Sequence, residues 1–309
     1  MGNVLIEKIK EIGIAYKQDI LLSEYTTFRV GGKCPLAVFP ESAEDCAAAV
    51  KLLKEMKIPY FVLGKGSNIL AADQGYSGVL ILTERMRKLS CNQEKIQCGA
   101  GVSLSKFCSF ALENSLSGAE FAWGIPGSIG GAIYMNAGAY GGEISDIIHS
   151  CTFLNEQGEI CTVQAEKLEL SYRHSVFTGS RSVILEAEFL LHTSDMAAIK
   201  AQMDDYITRR MSKQPLDKPS AGSTFKRPQG AYAAALIEES GLKGCSVGGA
   251  RVSEKHSGFI INDGQATAED IAKLIQKVQK TVKKETGYSL ACEVIPLGFL
   301  PEEIEAWTF

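Results

Sequence analysis

Apolar positions along this chain change period repeatedly, and the changes mark its elements. Residues 3–14 place their apolar side chains on one side of a short amphipathic helix. Thr-Thr-Phe-Arg-Val-Gly-Gly at 26–32 reads as a strand-like piece ending in a glycine pair, and 36–39 as a brief apolar strand. Ser42 with Asp45 three residues later forms a capping-box start, after which Ala43, Cys46, Ala47, Val50 and Leu53 recur at helical spacing. Apolar runs at 60–63 and 79–82 complete a small α/β unit over residues 21–87, preceded by an N-terminal helix within 1–20.

From residue 88 the pattern turns mostly to strands. A strand at 96–98 leads into a helix with Leu104, Phe107, Cys108, Ala111 and Leu112 on one face. Runs at 147–154 and 160–163 flank Asn-Glu-Gln-Gly, the composition of a hairpin turn. Val183, Leu185, Ala187, Phe189 and Leu191 alternate as a half-buried strand, so 88–205 is expected to be mostly antiparallel β. A helix opening at Ser194 puts Met196, Ile199, Met203, Tyr206 and Ile207 on one face and ends near Arg209 and Arg210. The proline-bearing segment 214–219 is the best linker. Beyond it come a helix ending at Gly241, a helix capped by Thr267 and stopped by Gly287, and a last strand at 290–295 containing Glu293. Residues 206–309 therefore read as a smaller α+β domain around two helices.

Composition narrows the class. At 309 residues the chain has length for roughly two domains, and 45% apolar with 22% charged residues is ordinary for a soluble globular protein. No apolar run reaches the length of a membrane span and the start lacks a long apolar core, so a cytoplasmic protein with no membrane role is expected. Nine cysteines scattered singly and four distant histidines argue against a disulfide framework and against any metal site. The net charge of -4 hides an asymmetry, because residues 200–288 hold 15 Lys and Arg against 10 Asp and Glu. That excess is either a set of solvated helix faces or a domain that receives an anionic small molecule. Nucleic acid is not the expected partner, since no basic run is interleaved with aromatics and the pI is about 5.7.

The most distinctive stretch is 124–142, which carries seven of the 30 glycines and no charge. Such a run offers backbone rather than side chains, and lets a ligand approach the peptide N–H groups. It lacks the Gly-x-Gly-x-x-Gly turn of a dinucleotide-binding βαβ unit. A second loop, Gly-Lys-Gly-Ser-Asn at 64–68, ends a predicted strand. Each loop alone is compatible with plain turns. Together they suggest one long phosphate-bearing ligand held between two subdomains.

With residues 26–32, these loops resemble the FAD-binding domain of the vanillyl-alcohol oxidase and p-cresol methylhydroxylase class. The resemblance implies an α+β fold, with a two-subdomain FAD domain followed by the smaller substrate domain. It implies FAD contacts at Gly64, Lys65, Gly66, Ser67, Asn68, Pro126, Gly127, Ser128, Gly130, Gly131, Asn136, Gly138 and Ala139. No histidine lies in either loop, so the FAD is expected to be non-covalent.

Three further motifs, Ser-Tyr-Arg-His-Ser at 171–175, Ala-Gly-Ser-Thr-Phe-Lys-Arg-Pro at 221–228 and Glu293-Val294, are similar in type and order to those of the UDP-N-acetylenolpyruvoylglucosamine reductase family. The resemblance runs from about residue 20 to 298. It implies that NADPH reduces the flavin and that an enolpyruvyl group on a UDP-sugar is then reduced, through an enolate. Arg173 would hold the carboxylate, since a guanidinium stays charged and binds it with two parallel bonds. Glu293 would stay protonated beside the enolate, and Ser223 would donate the proton, with Lys226 steadying the alkoxide left behind. By position alone Arg173 could equally be a structural ion pair, Glu293 a strand residue facing water and Ser223 a turn residue. Tyr172, Arg209, Lys226, Arg227 and Lys255 are the expected substrate contacts.

Several features narrow the resemblance. The short interval between Arg173 and Arg209 matches members lacking an inserted tyrosine loop, while Arg227 and Ile295 stand where some members have Asn and a basic residue. No obligate protein partner is evident. An FAD-dependent oxidase of an alcohol or sugar, and a nucleotide-binding protein without catalysis, are the competing expectations.

Overall fold

The structure, a computed structural model, describes residues 3–304 and Trp307. Its contacts divide the chain into two compact units, neither of them one continuous stretch. The first takes the described residues up to Gln18, with Leu36–Lys65 and Gly78–Arg210; the second takes Asp19–Pro35, Gly66–Ser77 and the described residues from Met211.

One sheet runs in the order Ala15–Leu21, Lys33–Phe39, Val79–Leu82, Tyr60–Leu63. Its last three strands are parallel, with Val79 opposite both Leu36 and Tyr60. Parallel strands need a crossover, and the helix Ala43–Glu55 supplies the one from Lys33–Phe39 to Tyr60–Leu63, which lie on either side of Val79–Leu82. That helix starts on the expected capping box: Asp45 N donates to Ser42 Oγ at 3.0 Å and Ser42 N to the Asp45 carboxylate at 3.3 Å. Val79–Leu82 is buried along its whole length, as a parallel strand covered on both faces must be. Leu36, Val38, Val50, Leu53 and Ile81 pack there with Leu5 and Ile9 of the helix Asn3–Glu11.

The second sheet of the first unit is antiparallel throughout, in the order Ile160–Gln164, Ile148–Leu154, Val183–Leu190, Lys95–Gly99, Leu89–Asn92. The hairpin turns where expected because Asn155 Oδ1 accepts from the backbone N–H groups of Gln157 (3.0 Å) and Glu159 (2.8 Å). Alternation along Val183–Leu190 turns Ala187 and Phe189 inward, where the Phe189 ring lies 4.7 Å from that of Phe107 on the helix Leu104–Glu113.

The second unit packs the helices Ala233–Glu239 and Ala268–Thr286 with an antiparallel sheet, in the order Ser220–Ser223, Phe259–Asn262, Ala250–Val252, Ser246–Val247. Ile271, Leu274, Ile275, Val278 and Val282 are fully buried along the long helix, which Thr267 caps and Gly287 stops at φ 77°. A parallel pair, Ile69–Ala71 with Ile295–Leu297, completes this unit.

The structure corrects four element expectations. Residues 26–32 form turns and extended loop, not a strand: Thr26 Oγ1 and Arg29 N close short loops onto Val30 O and Thr26 O, and Gly32 is clasped against the Asp73 carbonyl. The last strand is Ile295–Leu297, so Glu293 precedes it. The helix after Ser194 spans Met196–Lys213 and outlasts Arg209 and Arg210, and the first helix stops at Glu11. The sheet around Phe259–Asn262 went unforeseen because its strands are two to four residues long, too short for alternation to register.

Candidate active site

In the first unit Gly64, which opens one glycine loop, lies against Ser128 of the other. Ser128, 2% exposed, caps the short helix Ile129–Tyr134, its Oγ accepting from Gly131 N at 3.5 Å. Gly64, at the end of Tyr60–Leu63, packs directly on that hydroxyl: a Cβ built there would run into Ser128 Oγ. Gly130 approaches Ala100, where a Cβ would sit 3.1 Å from the alanine methyl, and Gly127 O accepts from Leu104 N at 3.1 Å. Lys65 and Pro126 are exposed. Gly138–Ala139 pairs with Gly142–Glu143 in a tight hairpin.

Asn136 joins this run to the motif that carries Arg173. Fully buried and left-handed at φ 41°, it donates from Nδ2 to Ser171 O (3.1 Å) and accepts at Oδ1 from Ser145 N (2.9 Å). Ser175, also fully buried, donates its hydroxyl to Tyr134 O at 2.8 Å. The turn between these anchors is closed by Ser171 and His174 through two backbone hydrogen bonds of 3.2 and 3.1 Å. Arg173 sits at its tip with φ 55°, a conformation that costs a non-glycine residue roughly 1 kcal/mol and persists only where the surroundings impose it. Its guanidinium lies 5.0 Å from the ring of Tyr172, which is 49% exposed.

A residue the sequence reading passed over stands behind the run. Arg210 is 6% exposed, its guanidinium 5.6 Å from the Tyr140 ring, and a Cβ on Gly124 would press 3.3 Å from its Cδ. Burial holds its pKa below the ordinary value, opposed by Tyr140. The signal was present, because 199, 203, 206 and 210 share a helical face. Arg209 instead points to the exposed side and pairs with Asp205 at 2.8 Å.

In the second unit three segments distant in sequence converge. Asn68 Nδ2 donates to Glu293 O (3.0 Å), and Ile295 N donates to Asn68 O (2.9 Å). Glu293 N donates to Thr224 O (2.8 Å), and Lys226 N to Ala291 O (2.8 Å), with Phe225 bridged to Cys292. Ser223 ends its strand beside Phe259, after a bulge in which Gly222 takes φ 73°. Burial pushes the Cys292 thiol up to about 12, with a backbone hydrogen bond at Val294 drawing it down, Glu293 raising it and Lys226 lowering it. Gly66, at φ 61°, admits no side chain because a Cβ would meet the Tyr25 carbonyl; its own carbonyl accepts from Thr27 N at 3.1 Å, with Ser67 half-buried next to it.

Two expected cations are engaged at the surface. Arg227 is exposed with its guanidinium 4.6 Å from the Tyr232 ring, and Lys255 Nζ donates to Met211 O at 2.5 Å. Among the described residues no group of three or more His, Cys, Asp or Glu is arranged to hold a metal ion. Residues 64–68 and 126–139 offer backbone amides, small hydroxyls, the amide side chains of Asn68 and Asn136 and the Lys65 ammonium, with no carboxylate, a set that suits a ligand carrying a diphosphate.

The comparisons place the chain first in a class. Residues 35–164 match the family described as an FAD binding domain. A structure of alkyldihydroxyacetonephosphate synthase, 19% identical, superposes on 62% of this chain and 44% of its own with a TM-score of 0.50 and so shares the fold. The class is that of proteins with an FAD binding domain. Residues 214–297 match the family described as UDP-N-acetylenolpyruvoylglucosamine reductase, C-terminal domain. The UDP-N-acetylenolpyruvoylglucosamine reductase of Clostridium novyi (strain NT) is 49% identical over 282 residues, 91% of this chain and 92% of the relative. A crystal structure of the Thermus caldophilus UDP-N-acetylenolpyruvylglucosamine reductase covers 92% of this chain and 99% of its own at 32% identity, with a TM-score of 0.79. The chain belongs to the UDP-N-acetylenolpyruvoylglucosamine reductase family.

Proposed function

We infer that this chain is an FAD-dependent oxidoreductase that uses NADPH to reduce UDP-N-acetylenolpyruvoylglucosamine to UDP-N-acetylmuramate, a step in making peptidoglycan precursors. When bound, FAD would supply the hydride chemistry that links NADPH to the methylene carbon of the enolpyruvyl group. The chain's own residues must hold the flavin, take up the negative charge that develops on the carbon bearing the carboxylate, and deliver a proton to that second carbon.

For the first task we assign Gly64, Lys65, Gly66, Ser67 and Asn68, and Pro126, Gly127, Ser128, Gly130, Gly131, Asn136, Gly138 and Ala139. The packing of Gly64 on Ser128 supports this, since any side chain at that junction would fill it. The FAD is held without a covalent bond in this reading, as His149, His174, His192 and His256 all lie outside the two loops.

For the second task we assign Arg173 and Glu293. A guanidinium on the substrate carboxylate lowers the cost of the developing enolate, and a protonated Glu293 adds a hydrogen bond. Ser223 gives up its hydroxyl proton to the carbon, and Lys226 stabilises the alkoxide. The observation that supports these roles most strongly is that Glu293 N is bonded to Thr224 O, one residue from Ser223, while Asn68 of the glycine loop holds the Glu293 carbonyl. Tyr172, Arg209, Lys226, Arg227 and Lys255 are our assignment for the UDP-sugar. Arg209 and Lys255 would exchange their present partners, Asp205 and the Met211 carbonyl, for phosphate oxygens.

No helix among the described residues is long and apolar enough to cross a membrane. We place the protein in the cytoplasm, where NADPH and UDP-sugars are available, and assign it no nucleic acid, membrane or obligate protein partner.

The test is spectroscopic. Purified protein should show flavin absorption that NADPH bleaches and that the enolpyruvyl substrate restores faster than oxygen does. Reoxidation by oxygen as fast as by substrate would point to an oxidase, and a flavin that NADPH never bleaches to a protein without this chemistry. Colour that remained with acid-precipitated protein would contradict non-covalent attachment.

A further inference from the structure

Thr224 is fully buried, and each of its polar groups is committed to a different neighbour. Its N–H donates to Gly258 O at 2.8 Å, its carbonyl accepts from Glu293 N at 2.8 Å, and its hydroxyl oxygen accepts from Ile260 N at 3.1 Å. The third bond repairs a defect in the sheet. Ser220 lies opposite Ile261 and Ser223 opposite Phe259, so the strand carries an extra residue where Ile260 is passed. A bulge of this kind leaves one buried N–H of the partner strand without a ladder acceptor, and here the Thr224 side chain takes the carbonyl's place.

Two segments are thereby held in one register. Phe259 and Ile260 fix the strand on which Ser223 sits, and the Thr224 carbonyl fixes the backbone of Glu293. We propose that Thr224 is a positioning residue for proton delivery: its hydroxyl locks the bulge that aims Ser223 and sets the spacing between Ser223 and Glu293. The inference rests on the assignment of Ser223 and Glu293 above. Thr224 itself touches neither substrate nor flavin in this scheme.

The hydroxyl, not the bulk, is the working part, so Thr224→Val, which keeps the shape, and Thr224→Ser, which keeps the oxygen, separate the two. Each holoenzyme is reduced with NADPH and then mixed with the enolpyruvyl substrate, and Ser223→Ala is run in parallel. Thr224→Val should bleach at the parent rate and reoxidise about tenfold or more slowly, because a small misplacement of a reacting group is expensive in rate. Its reoxidation should also show a larger solvent deuterium isotope effect, since proton delivery then limits the step; a purely structural loss would not move that ratio. Thr224→Ser should stay within about twofold of the parent.

Reoxidation of Thr224→Val at the parent rate, or an unchanged isotope effect, overturns the proposal. So does a Thr224→Ser variant that is tenfold slow, a result that stands even if Thr224→Val fails to retain its flavin. If Ser223→Ala reoxidises normally, the proton-donor assignment itself is what has failed.

Discussion

The two regions that carry the assigned chemistry are built in opposite ways. Around residues 124–142 the material we assign to the ligand is backbone, and side chains serve as the anchors: Asn136 and Ser175 reach from buried positions to hold the turn that presents Arg173. Around Ser223 and Glu293 the presented groups are side chains and the anchors are mainly backbone, with Asn68, Thr224, Ala291 and Ile295 linked through main-chain amides and carbonyls. The difference follows from what each must do. A flavin is long and is held at many points by generic donors, so small residues and exposed amides suit it. Proton delivery needs one acid at one atom, and a register of backbone hydrogen bonds gives that precision.

This contrast can be broken in graded steps. The largest effect is expected at Ser223, where replacement by Ala should leave bleaching by NADPH intact and slow reoxidation by substrate on the order of 10²–10⁴-fold. Stopped-flow absorbance checks it, and slowing of both half-reactions would mean that Ser223 holds structure rather than a proton. Next is Asn136→Ala, which strands the Ser145 amide, removes one of two hydrogen bonds to the Ser171 carbonyl and places Ala at φ 41°; about 2 kcal/mol of stability should be lost by denaturant unfolding. Turnover should fall as well, because Arg173 loses its support, and an unchanged turnover would separate the anchor from the site.

A smaller loss, about 1 kcal/mol, is expected for Thr267→Ala, which removes the cap of the helix Ala268–Thr286. Both half-reactions should be unaltered, making it the control for general destabilisation of the second unit.

The least effect concerns pH. Burial holds the His256 imidazole below its ordinary value, with Glu238 opposing. A group whose folded value is depressed leaves stability intact above the unfolded value, about 6.5, and removes it as pH falls through the lower folded value. Unfolding midpoints measured from pH 7 to pH 5 should therefore decline less in His256→Gln than in the parent, and identical slopes would remove His256 from the account.

Long, strongly periodic pieces were legible without coordinates. Ser42 with Asp45, Thr267, and Gly287 marked helix ends that the structure reproduces, because a cap is a local transaction between a side chain and amides two or three residues away. The parallel run at 79–82 and the alternation at 183–190 were legible for a similar reason: period reports burial on one face or two. The glycine loops announced themselves by composition.

Other features depended on residues far apart in the chain. Residues 26–32 look extended in sequence, yet the Gly32 backbone is clasped by Asp73, forty residues on. Arg209 and Arg210 are indistinguishable as residue types; helical spacing separates their faces, and packing then sets Arg210 beneath Tyr140 while Arg209 pairs with Asp205 at the surface. Thr224 reads as the variable letter of a motif. Its three hydrogen bonds come from residues 258, 260 and 293, and no local pattern encodes them.

The sequence by itself determined the family, the helices with their caps, the flavin-suited loops and the residue types able to manage an enolate, since all of these rest on local chemistry and composition. Tertiary structure decided which of those residues share a neighbourhood. Asn68, Thr224 and Glu293 meet because two short β segments and a bulge bring three distant stretches into hydrogen-bonding register, and such pairing is set by long-range contacts rather than by local propensity.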